Sequence, residues 1–160
     1  MPGVSIRSIP LFQGLTQAEA DYFAAAAEEV HYQAGELLLA AGNPTDSLYY
    51  VVKGEITARV HDTNRMPTMV SVIAPGHMAG WSALVPPHIA TASLSALTDL
   101  HAVRFDGQRM RELCEANPRL GLVVMRNLGT VISERLAATT ARLADAMEHI
   151  HGPSADEAVD

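Results

Sequence analysis

The chain has 160 residues, of which 48% are hydrophobic, and its formal net charge is −7 with histidine neutral. This length suits one domain, no apolar run approaches the ~20 residues that span a bilayer, and segment 1–14 lacks the pattern of a signal peptide. An acidic chain whose single lysine is Lys53 also disfavours a nucleic-acid surface, and the lone Cys114 excludes a disulfide framework. We therefore expect a cytoplasmic protein that binds neither nucleic acid nor membrane.

The first predicted element is a short helix that begins after Thr16. Thr16 can cap this helix, and Glu19 stands three residues further on, as a capping box requires. Apolar residues then recur at helical spacing, at Ala20, Phe23, Ala27 and Val30. The pattern predicts an amphipathic helix that serves as a packing element.

From about residue 30 to residue 105 the pattern changes to short strands. Runs rich in Leu, Val, Ile and Tyr alternate with turn residues such as Gly, Pro, Asn and Asp. The predicted strands are 30–32, 36–40, 47–52, 55–61, 68–74, 90–96 and 100–105. Strands this short, with turns this frequent, indicate a closed antiparallel sandwich or barrel.

Segment 75–92, with the sequence PGHMAGWSALVPPHIATA, interrupts the strands. Gly76 and Gly80 loosen its backbone, and Pro86 and Pro87 end any helix that begins at Trp81. A one-turn helix behind a glycine points backbone N–H groups outward. The segment is therefore the candidate place to hold an anion.

After residue 105 the sequence predicts helices over 106–117 and from about 119 to 147, the second of which Pro118 can start. Along the second helix a heptad-like seam steps by four and three, through Met125, Gly129, Ile132, Leu136, Thr139, Leu143, Ala146 and Ile150. The helix either lies across its own barrel or pairs with the same helix of a second copy. The second alternative is favoured, because the seam extends beyond the length that a small barrel can cover.

Segment 42–56, GNPTDSLYYVVKGEI, resembles the cyclic nucleotide-binding domains of the catabolite-activator/Fnr superfamily, and the similarity extends over about residues 9–142. The resemblance implies an α+β fold: an antiparallel jelly-roll β-barrel, or double-stranded β-helix, with a short N-terminal helix and a long C-terminal dimerisation helix. It divides the chain into an N-terminal extension (1–8), a jelly roll with flanking helices (9–118), the long helix (119–150) and a disordered acidic tail (151–160). The ligand pocket is expected inside the roll.

By the same resemblance, segment 75–92 is the phosphate-binding cassette, and we call it the cassette segment. The residues that match the family pattern are Gly80, Ala83, Leu84, Ala90 and Thr91. Thr139 and Thr140 align with a polar pair on the family's long helix that can reach the purine. Backbone N–H groups of Ser82 and Ala83, with the hydroxyls of Ser82 and Thr91, could hold an anion.

Two positions of the cassette segment depart from the family pattern. Trp81 stands where the family has the Glu that holds the ribose hydroxyl, and His88 stands where it has the Arg that holds the cyclic phosphate. Tryptophan cannot accept a hydrogen bond from a hydroxyl, and a neutral histidine offers one donor instead of a permanent two-pronged cation. Losing a charge-assisted pair costs about 1.5–3 kcal/mol, so tight binding of cyclic AMP or GMP in the usual pose is not expected.

Three functions remain open. In the first, the chain is a stand-alone regulatory sensor without a DNA-binding output, which binds a nucleotide weakly, or another small anion, in the roll at Gly80, Trp81, Ser82, Ala83, His88, Ala90, Thr91, Thr139 and Thr140. In the second, Trp81 fills the pocket and the chain is a ligand-free dimeric interaction module. An enzyme is the least favoured, since Ser82 lacks a G-x-S-x-G context. No cofactor or metal is expected, and signalling is expected through a homodimer and an unidentified protein partner.

Overall fold

Eight antiparallel strands are found in the part of the chain that the computed structural model describes, residues 3–61, 64 and 66–151. They are β1 (Ala27–Tyr32), β2 (Leu37–Leu39), β3 (Ser47–Lys53), β4 (Ile56–His61), β5 (Pro67–Ile73), β6 (Met78–Ala79), β7 (Ser93–Ala96) and β8 (Leu100–Asp106). One sheet has the order β1-β8-β3-β6 and the other has the order β2-β7-β4-β5. We call the two sheets together the roll.

The predicted jelly roll with a long C-terminal helix is confirmed, and each of the seven predicted strands is present. Strand β6 is an addition, because two residues are too few to give a sequence pattern. The prediction of a closed barrel is wrong, because the described strands form two separate sheets.

The N-terminal helix α1 spans Gln17–Tyr22 and begins with the predicted capping box. The Glu19 N–H donates to the Thr16 hydroxyl, and the Thr16 N–H donates to the Glu19 carboxylate. The expected helical repeat up to Val30 is wrong, because a 3₁₀ turn over Phe23–Ala26 ends the helix and β1 follows directly. Pairing with β8 satisfies the backbone of β1, which overrides the helical tendency of the alanines before it.

Two helices follow the roll, and they begin where the sequence predicts. Helix α2 spans Gly107–Ala116, and its cap is the Asp106 carboxylate, which accepts from the Arg109 N–H at 2.8 Å. Helix α3 spans Pro118–His151, a run of 34 residues and therefore about 50 Å long. Its first half is packed on the roll, whereas beyond Ile132 the described side chains up to Ile150 are exposed, with the exception of Arg135. The predicted acidic tail lies outside the described residues.

The core has two parts. Phe12, Phe23 and Phe105 meet between the roll and the helices, with ring centroids 5.2 and 5.4 Å apart around Phe12. A second cluster lies between the two sheets and includes Tyr49, Val51, Ile56, Ile73, Leu94 and Ala102. Side chains therefore fill most of the space between the two sheets.

A search of the described residues for a membrane-crossing helix, one both long and apolar enough, found none.

Replacement of a buried leucine tests the first part of the core. Leu11→Ala removes a side chain with no solvent exposure, so we expect the free energy of unfolding to fall by about 2–5 kcal/mol. Leu37→Ala is the matched control, because Leu37 is 59% exposed, and its expected effect is within about 0.5 kcal/mol. Urea denaturation followed by circular dichroism measures both variants, and equal losses would contradict the assignment of Leu11 to the core.

Candidate functional site

The cassette segment is fixed against β3 by the backbone of Gly80. Gly80 has a φ of 85°, and the 3₁₀ turn Trp81–Ala83 follows it directly. A Cβ at position 80 would lie 2.6 Å from the Ser47 carbonyl oxygen, closer than real Cβ contacts allow. The residue must therefore be glycine both for its left-handed backbone and for its contact with β3.

Helix α2 holds the cassette segment from the other side. The Arg111 guanidinium donates to the Ala83 carbonyl oxygen and, at 3.1 Å, to the Asp46 carboxylate. A Cβ on Gly107 would lie 2.8 Å from the Ala83 Cβ, so this contact too requires a glycine. Ala83 is fully buried in this contact, and it packs the turn onto α2 instead of facing a ligand.

Inside the roll, next to this turn, lies a cavity of about 50 Å³, which we call the roll pocket. Its walls are mostly apolar, with a polar rim from the cassette segment and from α3. The lining residues are Leu39, Ala58, Ile73, Ala79, Gly80, Trp81, Ser82, Ala90, Thr91, Ala92, Leu94 and Arg135. Five of the nine predicted site residues are thus brought together here: Gly80, Trp81, Ser82, Ala90 and Thr91.

His88 is not among the lining residues of the roll pocket. Its backbone is left-handed, with a φ of 59°, and its ring Nδ1 donates to the Ser82 carbonyl oxygen at 3.1 Å. Its own carbonyl oxygen accepts from the Thr45 N–H at 2.9 Å. These contacts give His88 a role in closing the loop of the cassette segment, and they turn its Nδ1 proton away from any ligand.

Thr139 and Thr140 are exposed on α3 and do not line the roll pocket. The residue of α3 that does so is Arg135, one helical turn before Thr139, which the sequence analysis missed. The sequence did contain a signal for Arg135. It is a positively charged residue beside the apolar seam, four residues before Thr139. Without the loop lengths, the register of the helix against the roll could not be fixed.

Arg135 connects α3 to the roll through three contacts. Its Nη1 donates to the Ser71 hydroxyl at 2.9 Å, and its Nη2 lies 3.4 Å from the Met78 carbonyl oxygen. Its Cζ lies 5.7 Å from the centre of the Trp81 ring, within range of a cation–π interaction. Burial and, to a smaller extent, the nearby charge of Arg142 lower the pKa of Arg135. An arginine in such a place remains charged at neutral pH.

The histidines do not assemble a metal site in the described part of the chain, where no group of three His, Cys, Asp or Glu side chains could hold an ion. His31 and His101 stack with ring centres 4.4 Å apart, and Glu29 lies 3.5 Å from the His101 ring. This cluster is on β1 and β8, and none of its residues lines the roll pocket.

Alanine at two glycines of the cassette segment separates backbone strain from close packing. Gly76→Ala places alanine at a φ of 86° with no neighbour within 4 Å, so we expect a loss of about 1–2 kcal/mol in the free energy of unfolding. Gly80→Ala adds the contact with the Ser47 carbonyl oxygen to a similar strain and should cost clearly more. Urea denaturation measures both variants. Equal losses would show that the turn does not depend on its contact with β3.

A family model described as the cyclic nucleotide-binding domain matches residues 29–117. The chain is 29% identical over 139 residues to glutaminase 1 of Bradyrhizobium diazoefficiens. It is 24% identical over 135 residues to the CRP-like cAMP-activated global transcriptional regulator of Mycobacterium tuberculosis. Each alignment covers 84% of this chain but only 21% of the first relative and 58% of the second, so this chain spans less than two thirds of either.

Among solved structures, the fold is similar to that of a cyclic nucleotide-binding protein from Geobacter metallireducens, with a TM-score of 0.74 and 27% sequence identity. That match covers 82% of this chain and 95% of the other. The family model alone accounts for more than half of the sequence, and it includes the whole cassette segment. This chain therefore belongs to the cyclic nucleotide-binding domain family, whose fold is a regulatory one.

Proposed function

We propose that this chain is a dimeric regulatory module in which Trp81, held by Arg135, occupies the place of a ligand in the roll. The observation that carries the proposal is the size of the roll pocket. A volume of about 50 Å³ accommodates one or two water molecules, whereas ligand sites in proteins measure about 300–1,000 Å³. A nucleotide has no room there unless Trp81 moves.

The polar groups around the roll pocket support the same proposal. The Nδ1 proton of His88 is donated to the Ser82 carbonyl oxygen, and the cassette residues in the described lining of the roll pocket include no permanently charged side chain for a cyclic phosphate. The indole of Trp81 can donate one hydrogen bond but accepts none, so a ribose hydroxyl would lose its partner. cAMP is named as the activator of the Mycobacterium tuberculosis relative, and we infer that this chain does not bind cAMP in the same way.

Dimerisation is proposed through the outer face of α3. Leu136, Leu143 and Ile150 are 66%, 60% and 80% exposed, and they follow one another at seven-residue spacing. Large apolar side chains exposed in such a row are typical of one helix of a coiled coil, in which a partner helix covers them. The same helix carries Arg135, so α3 contributes both to the seam and to the wall of the roll pocket. The proposed output is contact with another cytoplasmic protein, without a catalytic step.

A second candidate function is supported by Arg135 itself. Its guanidinium forms part of the pocket wall, where it could attract a small anionic ligand that displaces Trp81. In that case the chain is a sensor, and the cation comes from α3 instead of from the loop.

A thermal-shift and calorimetry panel separates the two candidates. We expect millimolar cAMP or cGMP to leave the melting temperature of the wild-type chain unchanged, because the roll pocket is filled. Trp81→Ala should lower the free energy of unfolding by about 1–3 kcal/mol, because it empties a half-buried site. Binding of cAMP by the wild type with a Kd below about 100 µM would contradict the proposal. Stabilisation by an acidic metabolite would establish the sensor instead, if Arg135→Gln abolishes it and neither Arg126→Gln nor Arg142→Gln does, since Arg126 and Arg142 do not line the roll pocket.

A single charged substitution in the seam tests whether the chain dimerises through α3. The monomer mass is 17.1 kDa, and we expect light scattering to give twice that mass for the wild type. Leu143→Glu should yield monomers, because two carboxylates would face each other at a seam position. Leu97→Glu is the matched control, since Leu97 is an exposed leucine of the roll and its substitution should leave the dimer intact. A wild-type chain that is monomeric in light scattering would contradict the proposed dimer.

A further inference from the structure

A second, larger cleft lies outside the roll, between α3 and the segment that joins β5 to β6. We call it the outer cleft, and its volume is about 330 Å³. Its polar lining consists of Ser71, His77, Glu134, Arg135 and Arg142. Arg135 separates the two spaces, because it lines both the roll pocket and the outer cleft.

Positive charge is concentrated in this cleft although the chain as a whole is acidic. Arg135 and Arg142 are seven residues apart, two turns on one face of α3. Within the described residues neither arginine has a carboxylate within 4.0 Å, whereas Arg104, Arg109 and Arg119 each have one. The only carboxylate in the lining is that of Glu134, so the lining has a charge of +1 with His77 neutral.

The donors of these side chains are only partly used. Arg142 Nε lies 3.4 Å from the Ala138 carbonyl oxygen, and among the described residues no acceptor is found for its two terminal nitrogens. Arg135 uses Nη1 on the Ser71 hydroxyl, and its Nη2 makes only the long contact of 3.4 Å with the Met78 carbonyl oxygen. Glu134 balances only one of the two arginine charges that face the cleft, and an anion between the two guanidinium groups would reduce their mutual repulsion.

We propose that the outer cleft binds a small phosphate-bearing ligand between Arg135 and Arg142. Guanidinium groups match phosphate oxygens with two parallel hydrogen bonds, and the volume of the cleft lies at the lower end of the range for ligand sites, about 300 Å³. His77 stands at the edge of the cleft. Its Nδ1 donates to the Pro75 carbonyl oxygen at 3.2 Å, which leaves its Nε2 side toward solvent. The ligand would join α3 to the β5–β6 connection and hold the helix against the roll.

The outer cleft shares Ile73 and Arg135 with the roll pocket, whereas Arg142 lines the outer cleft alone. The cleft-facing stripe of α3 contains Val131, Arg135, Ala138 and Arg142, and it is offset by one residue from the proposed dimer seam at Ile132, Leu136, Thr139 and Leu143. One residue corresponds to about 100° around the helix, so the stripe flanks the proposed seam and does not coincide with it.

Inorganic pyrophosphate titrated into the full chain tests the site by isothermal titration calorimetry at constant ionic strength. We expect one binding event per protomer and a rise in melting temperature. Arg142→Gln should weaken binding at least tenfold, because it removes a charge-assisted pair. Arg126→Gln is the matched control: it removes an arginine of α3 that does not line the cleft, and it should bind as the wild type does.

Circular dichroism and light scattering on both variants establish that helix content and oligomeric state are unchanged. Citrate, a polycarboxylate, is the comparator that distinguishes a site for phosphate from a site for any polyanion, and we expect it to bind more weakly than pyrophosphate. Three results would overturn the proposal: no heat with wild type, equal weakening in Arg142→Gln and Arg126→Gln, or equal affinity for citrate. None of these results bears on whether cAMP enters the roll.

Discussion

The close approach of two glycines to neighbouring backbone fixes the position of everything else in the site. Gly80 meets the Ser47 carbonyl oxygen, and Gly107 meets Ala83, so a strand, a turn and a helix pack without intervening side chains. This contact places the turn at the mouth of the roll. Arg111 then joins the turn to α2 and to Asp46. The position of the site is therefore set by backbone packing, independently of which side chains face the interior.

Because backbone packing sets the position of the turn, a family fold can keep the shape of a site while the side chains in that site change. Trp81 begins the turn, and its ring lies beneath the Arg135 guanidinium. In the proposed function the ring takes up the space that a ligand would need, and the guanidinium contacts the ring from α3. Arg135 belongs to the same helix as the exposed apolar seam, so displacement of Trp81 would act on α3 directly. Cation–π and hydrogen-bond contacts of this kind are each worth about 0.5–2 kcal/mol, enough to bias a helix position without making it permanent.

The sequence predicted most of the fold because its strands are bounded by strong turn residues and its helices by Thr16, Asp106 and Pro118. It failed where tertiary contacts override local pattern. The alanines before β1 predict a continued helix, but the residues that follow them form a strand because they pair with β8. In the site, the cassette segment was found from its glycines, whereas the directions of individual side chains were not. His88 turns away from the pocket because its backbone is left-handed, and Arg135 replaces Thr139 because the register of α3 depends on loop geometry.

The location of the cation distinguishes this chain from the pattern that its sequence resembles. In that pattern the arginine stands in the loop, so an anion would be bound within the roll. Here the loop position is His88, with its Nδ1 proton used internally, and the arginines that face open space are on α3. An anion bound by Arg135 and Arg142 would bridge the helix and the edge of the roll. Because the seam is on the same helix, such an anion would act on the proposed subunit contact through α3 and would not have to enter the roll.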